Sequence, residues 1–183
     1  MAGRAQAGRG GLETYWRFAI WGTAAALMLA PAVAARLTDE LAWDAADFII
    51  VGVLLAAGCM IWETAVRKSG SVTYAAAVGI AVAAAFLLLL VNGAVGFLGS
   101  EDNPVNLVFL TVPAVALGGA IVARFRARDM ARALAVTAGA QVAAGALGLA
   151  LFPDLRGFLI GTAMFVPLWL LSAWLFGRAA DRV

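Results

Sequence analysis

The chain has 183 residues, 64% of them hydrophobic and 13% charged, where an ordinary soluble domain is about 45–50% apolar and about 25% charged. With a mean hydropathy of +0.94, that composition excludes a water-soluble globular domain and points to side chains that face lipid as well as a core. The absence of histidine and the single cysteine, Cys59, remove the usual haem, zinc and copper ligand, the ordinary general base near neutral pH, and any intrachain disulfide.

A hydrocarbon core about 30 Å thick requires roughly 20 apolar residues in a helix. Six stretches meet or approach that length, near 16–36, 44–66, 72–98, 104–124, 130–152 and 156–177. The sequence predicts an all-α polytopic membrane helical bundle, with a tail at 1–15, a six-helix transmembrane domain at 16–178 and a second tail at 179–183.

Arg4 and Arg9 precede the first span, and Ala32-Val33-Ala34 near its end matches a signal-peptidase pattern. Its length, its Trp21 and its place in an even set of spans favour a retained helix. In the second span, Asp44 is expected as N-cap and Asp47 as the acidic residue of the first turn. Glu63 precedes Arg67 by four residues, the favourable order for a helical ion pair.

The third span carries Asn92 among apolar residues, with Gly93, Gly96 and Gly99 following. An unpaired amide in hydrocarbon is destabilising by several kcal/mol, so Asn92 demands a partner. Asn103-Pro104 reads as N-cap and N1 of the fourth span. Pro113 and Pro167 lie inside the fourth and sixth spans, where simple kinks are expected. Gly118, Gly119 and Ala120 in the fourth, and Gly139, Ala143, Ala144, Gly145 and Gly148 in the fifth, allow close helix packing within the bundle.

Charge sorts between the loops. Eleven of the thirteen basic residues flank one side, with only Arg36 and Arg156 opposite, so the positive-inside rule predicts both termini in the cytoplasm. The basic residues flank spans and form no contiguous nucleic-acid patch, which argues against nucleic acid as a partner. The densest run, Arg124, Arg126, Arg128 and Arg132 with Phe125 and Asp129 between, predicts contact with anionic lipid. Docking of a membrane or cytoplasmic protein at these arginines is the alternative.

Asp39, Glu40, Asp44, Asp47, Glu101, Asp102 and Asp154 fall on the opposite, outer side. Helix capping, as at Asp44 and Asp47, is the favoured reading of these residues. The candidate functional cluster is Asp47, Asn92, Glu101, Asp102 and Asn106, with Asp47, Asn92 and Asn106 expected at comparable depth below the outer surface, where converging oxygens suit a hard or permeating cation. No catalytic residue, cofactor or resident metal site is predicted.

The run from Val91 to Leu107, with Gly-Ser-Glu-Asp-Asn-Pro at 99–104 as its specific part and Trp43-Asp44-Ala45-Ala46-Asp47-Phe48 upstream, resembles a family of short bacterial multi-pass membrane proteins without an established activity. The resemblance implies a bacterial inner-membrane location and transfers no site residue. The favoured function is a structural, accessory or regulatory membrane component; a small transporter or cation-conducting protein is the alternative.

Overall fold

The computed structural model describes residues 18, 20–29, 33, 44–69 and 71–181. Among the described residues the regular structure is helical throughout. An apolar helix α1, Ile20–Leu29, is followed by α2 (Ala45–Ser69), α3 (Val72–Ala94), the 3-10 helix η1 (Pro104–Leu110), α4 (Thr111–Val122), α5 (Ala127–Leu151) and α6 (Leu155–Ala180). Five segments are long and apolar enough to cross a membrane, with η1 and α4 forming one of them, Pro104–Val122. At 1.5 Å per residue, the 23 residues of α3 reach roughly 34 Å. The chain is a helical membrane bundle. The tail at 1–15, nine residues of the first expected span, and Ala32 and Ala34 of the expected signal-peptidase pattern lie outside the described residues.

Two compact units divide the chain, Met1–Glu63 and Thr64–Val183, with the boundary inside α2. In the first, the start of α2 is closed reciprocally. Asp44 Oδ1 accepts from the N–H groups of Ala46 (2.7 Å) and Asp47 (3.0 Å), and Asp47 Oδ2 accepts from the Asp44 N–H at 3.0 Å. This is the capping arrangement expected from the sequence. Farther along, Trp21 Nε1 donates to Glu63 Oε2 at 3.4 Å.

In the second unit α5 and α6 pack along each other, α6 also packs on α3, and α4 packs on α5. Small residues set these approaches. A Cβ at Gly119 would meet that of Ala133 at 2.9 Å, and one at Gly145 would meet the Phe158 ring at 2.9 Å. Where hydrophobic drive between helices is absent, such close contact supplies the association energy. Gly118 and Gly139 face open space instead, so only part of the small-residue pattern serves packing within this unit.

A polar seam runs through the core. Ser172 Oγ on α6 donates to the Ala77 carbonyl on α3 at 2.8 Å, Thr137 Oγ1 donates to the Ala133 carbonyl at 2.9 Å, and Trp169 Nε1 reaches Gln141 Oε1 at 3.5 Å. Trp169 is fully buried. The bonds from Ser172 and Trp169 join helices, and each contributes only about 0.6–2 kcal/mol in a membrane while fixing the helices in register; that from Thr137 stays within α5.

Two spans differ from expectation. The third ends at Ala94, four residues before 98. Gly96, at φ +73°, turns the chain into the left-handed region, and its N–H donates to the Val91 carbonyl at 3.2 Å, closing the helix end. The fourth begins as seven residues of 3-10 helix capped by Asn103, whose side chain accepts from the Val105 N–H. Pro113 then falls in the first turn of α4, where a missing N–H is tolerated. Pro167 lies within the continuous α6.

Candidate functional site

Residues 95–103 connect α3 to η1 and fold back onto the bundle. Phe97 and Leu98, expected as the tail of a span, are instead the buried centre of this loop. The Phe97 ring lies 4.7 Å from that of Phe109 and 5.6 Å, edge-on, from that of Phe165. Glycines make room for it: a Cβ at Gly157 would collide with the Phe97 carbonyl oxygen, one at Gly161 would press on its ring, and one at Gly148 would strike Leu98.

Asn106, only 3% exposed, organises the backbone of that loop. Its Oδ1 accepts from the N–H groups of Phe97 (3.1 Å) and Leu98 (2.9 Å), and its Nδ2 donates to the carbonyls of Leu98 (3.3 Å) and Ser100 (2.7 Å). Asn103 Nδ2 adds a bond to the Leu98 carbonyl at 2.9 Å. A loop at the end of an apolar bundle has backbone groups that need partners. The two asparagines supply them.

Asp154 ties the loop to α6. Its Oδ1 accepts from the Gly157 N–H at 3.0 Å as the helix cap, and its Oδ2 accepts from the Gly99 N–H at 3.3 Å. These two bonds, that from Gly157 foremost, hold its carboxyl below the usual aspartate range.

The five sequence-predicted residues are distributed as follows. Asp47 lies in the first unit as the partner of Asp44. Asn106 is the organising amide of the loop in the second unit, and Glu101 and Asp102 are exposed on its tip. Asn92, 7% exposed near the end of α3, has an Oδ1 without a hydrogen-bond partner. Within the second unit, Asn106 on η1 therefore binds the loop whose tip carries Glu101 and Asp102, and its amide is engaged on both its polar atoms. Among the described residues no three His, Cys, Asp or Glu side chains gather as metal ligands.

Sequence reasoning missed Asp154 as the latch of this loop and Gly157 as its floor. The signal available was the Asp-x-x-Gly spacing at 154–157, which reads as a cap alone until the loop is placed above it.

The opposite end of the second unit carries the turn between α4 and α5. Arg124 (φ 47°) and Phe125 (φ 58°) occupy the left-handed region in succession, where an ordinary residue is disfavoured by roughly 1–2 kcal/mol. Tyr74 Oη donates to the Phe125 carbonyl at 2.7 Å and rests edge-on against Phe176 at 5.0 Å, which fastens the turn to α3 and α6. Arg124, Arg126, Arg128 and Arg132 are all exposed, and Arg132 pairs with Asp129 at 3.4 Å.

No family model, curated protein or solved structure matches the chain.

Proposed function

We propose that this is a multi-pass protein of the bacterial inner membrane, related to the short membrane proteins its sequence resembles, with both termini cytoplasmic and a structural, accessory or regulatory role. One observation carries the functional part of this reading. At the loop where the sequence concentrates polar residues, the Asn106 amide and the Asp154 carboxylate are bonded to backbone groups of the loop and of α6. That chemistry builds a rigid end to a bundle. The orientation is supported by the sorting of Arg and Lys, and reporter fusions after residues 70, 100, 126 and 154 test it: cytoplasmic signals at 70 and 126 with external ones at 100 and 154 are expected.

The role is tested by mild-detergent purification of the tagged protein from its native membrane, followed by native mass spectrometry. Co-elution of a stoichiometric second protein is the expected result. A pure monomer or homo-oligomer overturns the accessory reading. The unpartnered Oδ1 of buried Asn92 favours a second reading, a cation-conducting protein with Asn92, Glu101, Asp102 and Asn106 of the second unit at its outer mouth. On that reading Glu101→Gln with Asp102→Asn abolishes a cation-dependent flux in proteoliposomes while the fold persists; unchanged flux removes the two carboxylates from the pathway.

A further inference from the structure

We propose that the turn between α4 and α5 is a binding site for the headgroup of an anionic phospholipid, with Phe125 as its apolar anchor. The inference rests on the multi-pass reading only in requiring that Pro104–Val122 and α5 span the bilayer. It adds a ligand class, and it does not depend on which leaflet the turn meets.

Position comes first. Four residues, 123–126, separate α4 from α5, too few to carry the turn away from the ends of two spanning helices. It lies at headgroup depth. Ala123 and Met130 are buried beneath it, so the turn has a fixed floor, and the bond from Tyr74 to the Phe125 carbonyl fixes its height against α3.

Charge comes second. Among the described residues Arg124, Arg126 and Arg128 have no carboxylate within ion-pair distance, the single pair here being that of Arg132 with Asp129. The same end of the unit receives the C-terminal turn of α6, where Arg178 stacks over the exposed ring of Trp174 at 5.1 Å. Guanidinium groups bind phosphate oxygens in pairs, and unpaired arginines at headgroup level are complementary to a phosphodiester.

The third element is Phe125. The residue is 55% exposed in a backbone conformation that favours glycine. In water such a residue gains nothing at that position. At a membrane interface an aromatic ring beside arginines enters the acyl boundary while the cations meet the phosphate. A soluble protein partner would meet the arginines with carboxylates, but it offers no apolar phase in the plane of the helix ends.

The test uses the purified full chain in a neutral detergent, with phosphatidylglycerol and phosphatidylcholine of identical acyl chains as probes. Lipid retention is read by native mass spectrometry and by the shift in thermal midpoint. Preferential retention of phosphatidylglycerol is expected. Each arginine near an anionic surface contributes a factor of about five, so Arg126→Gln with Arg128→Gln lowers the preference by about 25-fold, with lipid-free midpoint and helix content unchanged. Phe125→Ala lowers retention of both lipids and leaves the preference in place. If the double variant does not fold, Arg128→Gln alone, on the exposed surface of α5, must lower the preference by about fivefold. Equal retention of the two lipids by the wild type, or a preference untouched by the arginine variants, overturns the proposal. Reporter fusions of reversed sign with the lipid preference intact would overturn the orientation and leave this site standing.

Discussion

The two ends of the second unit solve the same problem, joining helices at the edge of an apolar bundle, with opposite chemistry. At the α3–η1 end a nine-residue connection, 95–103, turns inward, buries Phe97 and Leu98, and has its backbone groups bonded to Asn103, Asn106 and Asp154. Its left-handed positions, Gly96 and Gly99, are glycines. The α4–α5 end is joined by four residues that turn outward, and its left-handed positions are an arginine and a phenylalanine. One connection is built for stability. The other holds an unfavourable backbone conformation in order to display side chains, which is how a binding element differs from a structural one.

The sharpest way to break this contrast is Asn106→Ala. It orphans two N–H groups and weakens the bonding of two carbonyls in a buried loop, each unsatisfied group being worth about 1–3 kcal/mol. A loss of about 3 kcal/mol or more is expected in reversible unfolding in mixed micelles. A loss below about 1 kcal/mol would mean that the loop is held by the packing of Phe97 alone, and the comparison would fail at its stable end.

Sequence showed one of these ends better than the other. Hydropathy located the long spans because lipid demands about 20 apolar residues whatever they pack against, and the caps at Asp44, Asp47 and Asn103 followed from local backbone chemistry. The same hydropathy extended the third span through Phe97 and Leu98, since apolar residues facing lipid and those facing protein look alike in a membrane protein. Asn106 was visible as a polar residue near the outer surface, but its bonds run to residues six to nine positions earlier. No local rule supplies that fold-back. The left-handed pair at Arg124 and Phe125 was invisible for the opposite reason: the residues that normally signal such a turn are absent, and the tether comes from Tyr74, 51 positions away.

A second variant sharpens the exposed end. Phe125→Gly places at φ 58° the one residue that adopts it freely, which recovers roughly 1 kcal/mol of strain after the added chain entropy of glycine is set against it. The thermal midpoint should be equal or slightly higher than that of the wild type, while retention of both phospholipids falls. Stability and binding then move in opposite directions. If both fall together, Phe125 is a structural residue and the turn is not built for display.

The smallest effect lies at Asp154, and its direction is fixed by linkage. Hydrogen bonds from Gly157 and Gly99 depress its pKa in the folded state, so the folded protein releases this proton more readily than the unfolded chain, whose aspartate titrates near about 3.9. Its contribution to stability is fully present above that value and disappears as the pH falls through the lower, folded-state pKa. Because the carboxylate is partly exposed, solvent screening keeps the contribution modest. Asp154→Asn keeps an oxygen to cap Gly157 but removes the charge. The variant should therefore be slightly less stable than the wild type at neutral pH and converge with it in strong acid. That convergence separates the electrostatic latch from simple capping, because a cap that works by geometry alone leaves the difference between the two proteins the same at every pH.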